Sequence, residues 1–219
     1  MSNIRGLDVS YCQRGIKWDT VKDNAYQFII IRAGNDMKNR YDTLFDDNIK
    51  ECIKRGFDIG IYWYALACTP DQAATEARWC IEKINPWREN ITLPVYYDLE
   101  VADVLNQPNV SEIVDAFRSV IKENGFRTGL YNSRGWIQKI NQATINKFDS
   151  IWIADWGASC KYTGKYDIWQ NGKTPSFGPV VADEDIMVND IIQRPKNVQI
   201  LKDLDTIEDC IKHLRELLK

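Results

Sequence analysis

The stretch Leu93-Pro94-Val95-Tyr96-Tyr97-Asp98-Leu99-Glu100 has the pattern of a β-strand that ends in two acids. Pro94 fits only near the beginning or the edge of a strand, and the Val-Tyr-Tyr run after it favours extended backbone. Because successive side chains of a strand alternate between two faces, Asp98 and Glu100 should point the same way, roughly 7 Å apart. The stretch therefore predicts a central strand that presents a pair of carboxyl groups at its end.

Two carboxyl groups this close repel each other's charge, which tends to keep one of them protonated near neutral pH. A proton donor beside an anion is the equipment that glycosidases use. The octapeptide alone is equally compatible with an exposed strand end that carries two solvated acids. The rest of the chain has to distinguish these alternatives.

Strand and helix patterns alternate on both sides of this stretch. The run 28–34 is apolar nearly throughout, which suits a strand buried on both faces of a parallel sheet. Helices are predicted over 43–56, from Thr69 to about Ile84, and from about Ser111 to Gly125. Besides the central strand, the expected strands are 6–10, 28–34, 59–65, 128–132, 150–156, 166–170 and 180–182. This alternation predicts an α/β fold, a parallel barrel covered by helices, whose late helices are small or missing because the connections shorten.

Chemistry in parallel barrels collects at the carboxyl ends of the strands. Asp8, Asp98, Glu100 and the cluster Asp183-Glu184-Asp185 all fall at or just beyond the ends of predicted strands. Aromatic residues crowd the same ends, and their faces stack well against the C–H faces of sugars. These residues are Tyr62, Tyr64, Tyr131, Trp152, Trp156 and Trp169. The alternative for each ring is a place in the hydrophobic core.

Composition limits the class of protein. With 219 residues, 44% of them hydrophobic, the chain can form one large α/β domain, and a net charge of −3 leaves no basic surplus for nucleic acid. The six cysteines lack a C-x-x-C spacing and the single histidine, His213, completes no zinc pattern, so we expect no metal site and reduced, mostly buried thiols. No stretch is apolar and long enough to span a bilayer, and the start lacks a signal core. We therefore expect no membrane partner and synthesis in the cytoplasm.

Four separated segments carry a family pattern. They are Gly6-Leu7-Asp8-Val9-Ser10-Tyr11-Cys12-Gln13 with Ile16-Lys17-Trp18, Gly60-Ile61-Tyr62-Trp63-Tyr64, Leu93 to Glu100, and Trp152-Ile153-Ala154 with Trp169-Gln170. Together they resemble the glycoside hydrolases of family 25, the Chalaropsis-type muramidases of bacterial autolysins and phage endolysins. The resemblance implies an irregular TIM-like (β/α) barrel with reduced late helices. It also implies hydrolysis, without a cofactor, of the β-1,4 bond between N-acetylmuramic acid and N-acetylglucosamine in bacterial peptidoglycan.

The resemblance also assigns roles to residues. It implies Glu100 as the general acid, Asp98 as its electrostatic partner, Asp8 as an acid lining the site, and one acid of the final strand as a fourth. For the fourth we favour Asp185 over Asp183. Substrate contacts are expected from Tyr62, Tyr64, Tyr131, Trp152, Trp169 and Gln170. With peptidoglycan as its partner, the protein should act on the bacterial cell wall after endolysin-like release or export by another route.

The shared strand of Asp98 and Glu100 bears on the mechanism. Both carboxyl groups should lie on the same side of the scissile bond, and no other acid is obviously placed as an opposing nucleophile. This geometry favours help from the 2-acetamido group of the substrate, a recognised exception to the two-carboxylate scheme, with retention of configuration. In that hypothesis Glu100 is protonated, while Asp98, Asp8 and an acid of the last strand stay ionised.

Two other classes of function remain open at this point. Four acids at a barrel mouth could hold a magnesium or calcium ion for phosphate-ester chemistry, although the sequence shows no phosphate-binding glycine loop. The chain could also be a sugar-binding module that has kept the groove and lost the reaction.

The end of the chain falls outside the resemblance. We expect a glycoside hydrolase domain over residues 1–195 and a C-terminal amphipathic helix or linker over 196–219. The apolar stripe of this helix comprises Ile207, Cys210, Ile211, Leu214, Leu217 and Leu218. The stripe can pack on the barrel, form a dimer contact or belong to a tether, so the oligomeric state stays open.

Overall fold

The computed structural model describes residues 4–35 and 40–194, together with positions 207, 211 and 215. The strands of this part of the chain are β1 (Ile4–Val9), β2 (Phe28–Asn35), β3 (Asp58–Tyr64), β4 (Ile91–Asp98), β5 (Thr128–Ser133), β6 (Ser150–Ala154), β7 (Ile168–Gln170), β8 (Ser176–Phe177), β9 (Val180–Val181) and β10 (Asp183–Met187). All of them except β8 and β9 join in one closed barrel. The predicted α/β barrel is therefore confirmed.

Helices cover the outside of the barrel. In chain order they are α1 (Trp18–Asp23), α2 (Phe45–Lys54), α3 (Pro70–Ile84), α4 (Ala102–Leu105), α5 (Val110–Glu123) and α6 (Gln142–Ile145). Helix α3 begins as the sequence predicts, because the Thr69 side chain accepts a hydrogen bond from the Gln72 backbone N–H and Pro70 occupies the first position. Within the described ranges, the four-residue α6 is the α-helix that follows β5, so the expected reduction of the late helices is also confirmed.

Strand direction is where the sequence pattern fails. Strands β1 to β7 run parallel, whereas β10 runs antiparallel to both of its neighbours, β1 and β7. The expected last strand at 180–182 is wrong, since Val180–Val181 pairs with Ser176–Phe177 in a separate hairpin. Because β10 enters the barrel at its mouth, its first residue lies beside the carboxyl ends of the parallel strands.

The residues of β4 separate into two apolar layers. Tyr96 lies inside the barrel, whereas Tyr97 and Leu99 lie between the strands and the helices. The ring of Tyr97 stacks on Phe117 of α5 with centroids 4.0 Å apart. Asp98 is in step with Tyr96 and therefore faces the barrel interior, as strand alternation predicts.

The chain after β10 covers the amino-terminal end of the barrel, opposite the mouth. Arg127, just before β5, donates from Nη1 to the carbonyl oxygen of Ile191 at 2.7 Å. Arg194 forms a salt bridge with Asp58 at the start of β3. The described chain thus reaches Arg194 at the end of the barrel remote from the acids of β4.

The predicted C-terminal unit is described only in part. Positions 207, 211 and 215 are helical, and Ile207 and Ile211 are exposed. The remainder of the predicted stripe and the boundary at 195 lie outside the described residues and stay predictions. No described helix is long and apolar enough to cross a membrane. The five described cysteines are free, but only Cys52 and Cys80 are buried, so the expectation of mostly buried thiols is not met.

Candidate active site

A cavity of about 250 Å³ opens at the mouth of the barrel. Its lining contains four carboxyl side chains, those of Asp8, Asp98, Glu100 and Asp183, and we call it the acid cavity. Arg32 supplies the cation among its described lining residues. Crowded and partly desolvated acids have raised pKa values, because burial and mutual repulsion both disfavour the charged form.

Asp98 is the last residue of β4 and is only 6% exposed. Its Oδ1 has no hydrogen-bond partner among the described residues. Burial, followed by the charges of Glu100 and Asp8, raises the pKa of Asp98 well above its usual range, while the charge of Arg32 acts in the opposite direction. A buried charge without a hydrogen-bond partner is costly, so the surroundings of this carboxyl group favour its protonated form.

Glu100 lies two residues beyond the end of β4 and lines a second cavity as well as the first. This second cavity, of about 410 Å³, shares Glu100, Tyr131 and Trp156 with the acid cavity and adds Trp136; we call it the tryptophan cavity. Desolvation in the cleft, followed by the negative charge of Asp183, raises the pKa of Glu100. An exposed carboxyl group at the junction of two cavities thus keeps its proton to a higher pH than an ordinary glutamate.

Asp8 is held by a chain of hydrogen bonds. Gln170 donates from Nε2 to Asp8 Oδ2 at 2.8 Å, and Gln170 Oε1 accepts from the Tyr131 hydroxyl at 2.9 Å. Burial, followed by the charge of Asp183, raises the pKa of Asp8 to about 8. Burial and the neighbouring Asp183 thus act against the ionised form that the sequence hypothesis assigns to Asp8.

The closing strand β10 presents Asp183 to the acid cavity, whereas the sequence pattern favours Asp185. Asp183 pairs with Asp8 across the β1–β10 ladder, and Asp185 pairs with Gly6 two residues deeper in the barrel. Asp185 is fully buried, accepts a hydrogen bond from Trp152 Nε1 at 2.8 Å, and is not among the residues that line the cavity. The reversed direction of β10 explains the difference, because it puts the first acid of the strand at the mouth and the later one inside the barrel.

The expected substrate contacts divide between two sides of the barrel wall. Those that line the acid cavity are Tyr62, Tyr64, Tyr131, Trp152 and Gln170. Trp169 instead donates from Nε1 to the carbonyl oxygen of Asp155 at 2.7 Å and packs against the layer between strands and helices. Strand alternation separates it from its neighbour Gln170.

Trp156 has a larger part in the site than the sequence indicates, because the pattern places it among the aromatic strand ends but not among the substrate contacts. Its side chain lines both cavities although the residue is 73% exposed. Trp156 Nε1 lies 3.4 Å from Gln170 Oε1, and a Cβ at Gly172 would come within 2.6 Å of Trp156 Cβ and Cγ. The ring is thus fixed against the backbone at the rim, where a sugar can stack on it.

Arg32 is a residue of the site that sequence reasoning misses. Asp42 Oδ2 accepts a hydrogen bond from Arg32 Nε at 2.8 Å, and the guanidinium carbon lies 4.6 Å from the centroid of the Tyr11 ring. One signal was available, since Arg32 is the charged residue at the end of the apolar run that starts at Phe28. The turn after β1 adds the lining residues Ser10, Cys12 and Gln13.

Within residues 4–35 and 40–194, no three His, Cys, Asp or Glu side chains are grouped so as to hold a metal ion.

Comparison with known proteins places this geometry in a family. The sequence profile of "Glycosyl hydrolases family 25" matches residues 7–178. The chain is 24% identical to Lysozyme M1 of Streptomyces globisporus over 198 residues. This match covers 84% of the chain and 67% of that lysozyme.

Solved structures share the fold. The glycosyl hydrolase 25 GHIP of Streptococcus pneumoniae superposes with a TM-score of 0.75 at 19% identity, over 88% of this chain and 94% of its own. A bacterial lysozyme from Streptomyces coelicolor superposes with a TM-score of 0.69 at 22% identity, over 86% and 94%. Since the family profile spans most of the chain, the protein belongs to glycosyl hydrolases family 25 and is a glycoside hydrolase of the lysozyme type.

Proposed function

We propose that the protein hydrolyses the β-1,4 bond between N-acetylmuramic acid and N-acetylglucosamine in the peptidoglycan of bacterial cell walls. The observation that carries the proposal is the position of Glu100 between two cavities. Asp8, Asp98 and Asp183 line the acid cavity and are not among the lining residues of the tryptophan cavity. The sugar that develops positive charge therefore binds in the acid cavity, and the leaving sugar binds in the tryptophan cavity.

Glu100 is the proton donor in this proposal. Its raised pKa keeps the carboxyl group protonated, and its place at the junction puts that proton beside the oxygen that links the two sugars. Transfer of the proton to this oxygen releases the sugar in the tryptophan cavity.

Asp98 carries the negative charge of the acid cavity. Burial and the charges of Glu100 and Asp8 raise the pKa of Asp98, and Arg32 acts in the opposite direction. The mechanism therefore places protons on Glu100 and Asp8, which removes their repulsion and leaves Arg32 to favour the ionised form of Asp98. The Asp98 carboxylate, which lines the acid cavity, accepts the N–H of the 2-acetamido group, and the acetamido oxygen bonds to the anomeric carbon as the glycosidic C–O bond breaks. Water then attacks the anomeric carbon of the oxazolinium ion from the side of the departed sugar and gives a proton to the Glu100 carboxylate. The C–O bond to the acetamido oxygen breaks, which restores the acetamido group and the acid form of Glu100, so the configuration is retained.

The direct test is to identify the reducing ends that the protein creates. Purified bacterial walls are digested, reduced with borohydride and hydrolysed to amino sugars. We expect reduced muramic acid, and we expect none above background with Glu100→Gln. Reduced glucosamine, or the absence of new reducing ends from a folded protein, would contradict the proposal. The same digestion in chelator tests the metal-dependent alternative, which gains support if lysis is lost and magnesium restores it.

A further inference from the structure

A third cavity, of about 530 Å³, adjoins the tryptophan cavity on the side away from the acids. Arg134 lines both of these cavities, whereas the lining residues of the third cavity and of the acid cavity do not overlap. Its floor is formed by three isoleucines that are each no more than 6% exposed, and its rim carries two cations and three amides beside Tyr162 and Thr163. The floor residues are Ile137, Ile140 and Ile145, and the rim residues are Arg134, Lys161, Gln138, Asn141 and Gln142. We call this cavity the basic trough.

Asp155, which lines the neighbouring tryptophan cavity, holds the Arg134 side chain and the backbone of Lys161. Asp155 Oδ1 accepts a hydrogen bond from Arg134 Nε at 2.9 Å, and Asp155 Oδ2 accepts one from the backbone N–H of Lys161. The Arg134 side chain is still 52% exposed, and the Lys161 ammonium has no hydrogen bond or ion pair with any described residue. Asp155 therefore neutralises part of the charge and orders the rim, while at least one positive charge faces the trough.

The trough continues the path that the substrate follows from Glu100. If the sugar that is attacked binds in the acid cavity and the leaving N-acetylglucosamine binds in the tryptophan cavity, the next muramic acid lies at the Arg134 end of that cavity. Muramic acid in peptidoglycan bears a short peptide that is rich in carboxylates and in alanine methyl groups. The two cations suit the carboxylates of this peptide. The amide groups of Gln138 and Gln142 already donate to Gly135 and Asn146, so the cations carry the match.

We propose that the basic trough binds the acidic stem peptide of the muramic acid on the leaving-group side of the scissile bond. The proposal rests on the proposed function for the order of the sugars. A phosphate polymer of the wall would use the same cations, but it is not attached to the glycan that lies in the two cavities beside the trough.

The kinetic test compares two substrates and two matched variants. The substrates are wall glycan with its stem peptides and the same glycan after an amidase has removed them. Lys161→Glu reverses the charge in the trough, and Lys165→Glu makes the same change at an exposed lysine of the same loop that does not line the trough. The quantity compared is kcat/KM on the glycan with stem peptides divided by kcat/KM on the glycan without them. We expect this ratio to fall about 3- to 10-fold in Lys161→Glu, the size typical of a partly exposed charge pair. In Lys165→Glu the ratio should equal that of the wild type.

Several outcomes would overturn the proposal. An unchanged ratio in Lys161→Glu, or an equal fall in Lys165→Glu, removes the specific role of the trough. Lys161→Ala, which places no acid in the trough, repeats the test if Lys161→Glu lowers the melting temperature.

A binding experiment separates this proposal from the proposed function. A synthetic tetrapeptide with the stem sequence is titrated into the full chain by calorimetry. Glycerol phosphate is titrated in a parallel experiment as a probe for binding of a phosphate polymer. We expect weak, salt-sensitive binding of the peptide that Lys161→Glu abolishes. If the protein cleaves neither glycan but binds the peptide in this way, the proposed function fails, and the trough remains a peptide-binding site without an assigned place relative to a scissile bond. If it cleaves the glycan but binds no peptide, or binds only glycerol phosphate, the trough proposal fails alone.

Discussion

Glu184 and Asp98 are both buried acids close to the barrel wall, and they differ in their partners. Glu184 accepts hydrogen bonds from Arg5 Nη2 at 2.6 Å, the Tyr26 hydroxyl at 2.8 Å and Asn171 Nδ2 at 2.9 Å. Burial acts to raise its pKa, but the hydrogen bond from Arg5 and then those of Asn171 and Tyr26 lower the pKa to about 2. Asp98 has a free oxygen and a raised pKa. The comparison teaches that burial alone does not set the protonation of an acid in this barrel: a full set of partners favours the ionised form of Glu184, and the lack of them disfavours that of Asp98.

The largest effect is expected at the proton donor. Glu100→Gln is nearly isosteric but cannot release a proton, so lysis of purified walls should fall on the order of 10²–10⁴-fold. Because Glu100 is exposed, the melting temperature should stay that of the wild type. Near-normal clearing of walls by the folded variant would remove Glu100 from this role.

The next effect contrasts stability at Glu184 with activity at Asp98. The depressed pKa of Glu184 contributes stability that is present above the unfolded pKa of about 4.5 and is lost as pH falls toward about 2. Glu184→Gln should therefore lower the free energy of unfolding by up to about 3 kcal/mol at pH 7, with a smaller deficit at pH 3. Urea unfolding at both pH values measures this, and an equal deficit at both would contradict the assignment.

Asp98→Asn should behave in the opposite way. Its raised pKa means that the ionised form is destabilising at neutral pH, so the amide should match or exceed the wild type in stability at pH 7 while losing activity. Destabilisation of Asp98→Asn comparable to that of Glu184→Gln would break the comparison. Urea unfolding and wall lysis on the same samples provide both measurements.

A smaller effect is expected at the rim. Trp156→Ala removes the ring shared by the two cavities and should raise KM on the order of tenfold with little change in kcat, as expected for loss of a partly buried aromatic contact. Trp156→Phe keeps a ring and should recover most of this loss. A fall confined to kcat would mean that Trp156 acts on the reaction rather than on binding.

The smallest effect is a shift of the pH profile. The charge of Asp183 helps to raise the pKa of Glu100, so in Asp183→Asn the alkaline limb of the rate profile should move to lower pH. The corresponding Asp185→Asn change, two residues deeper in the barrel, is the matched control for an acid on the same strand. An unmoved alkaline limb in Asp183→Asn would mean that the charge of Asp183 does not act on Glu100.

Local patterns were sufficient to predict much of the molecule. Strand alternation alone places Asp98 inside the barrel and Tyr97 outside it, and capping residues locate the start of α3. These predictions succeed because each depends on neighbours within a few positions of the chain.

Tertiary features were not predictable in the same way. The direction of β10 depends on its pairing with β1 and β7, which no local pattern encodes, and the exchange of Asp183 for Asp185 follows from that direction. The family pattern groups Trp169 with Gln170 as substrate contacts, whereas the two side chains lie on opposite faces of β7 and only Gln170 lines the acid cavity. The pKa of Asp8 depends on burial in the assembled barrel, so its protonation could not be inferred from spacing.

The central claim is that the acetamido group of the substrate, assisted by Asp98, attacks the anomeric carbon and that no protein side chain acts as the nucleophile. The anomeric configuration of the first product tests this claim most directly. Soluble wall glycan is digested in an NMR tube, and the new muramic acid reducing end is observed before it mutarotates. The mechanism predicts that the β-anomer appears first, because the β-1,4 bond is cleaved with retention. Initial release of the α-anomer would contradict it and would turn attention to Asp8 or Asp183 as a base that activates water.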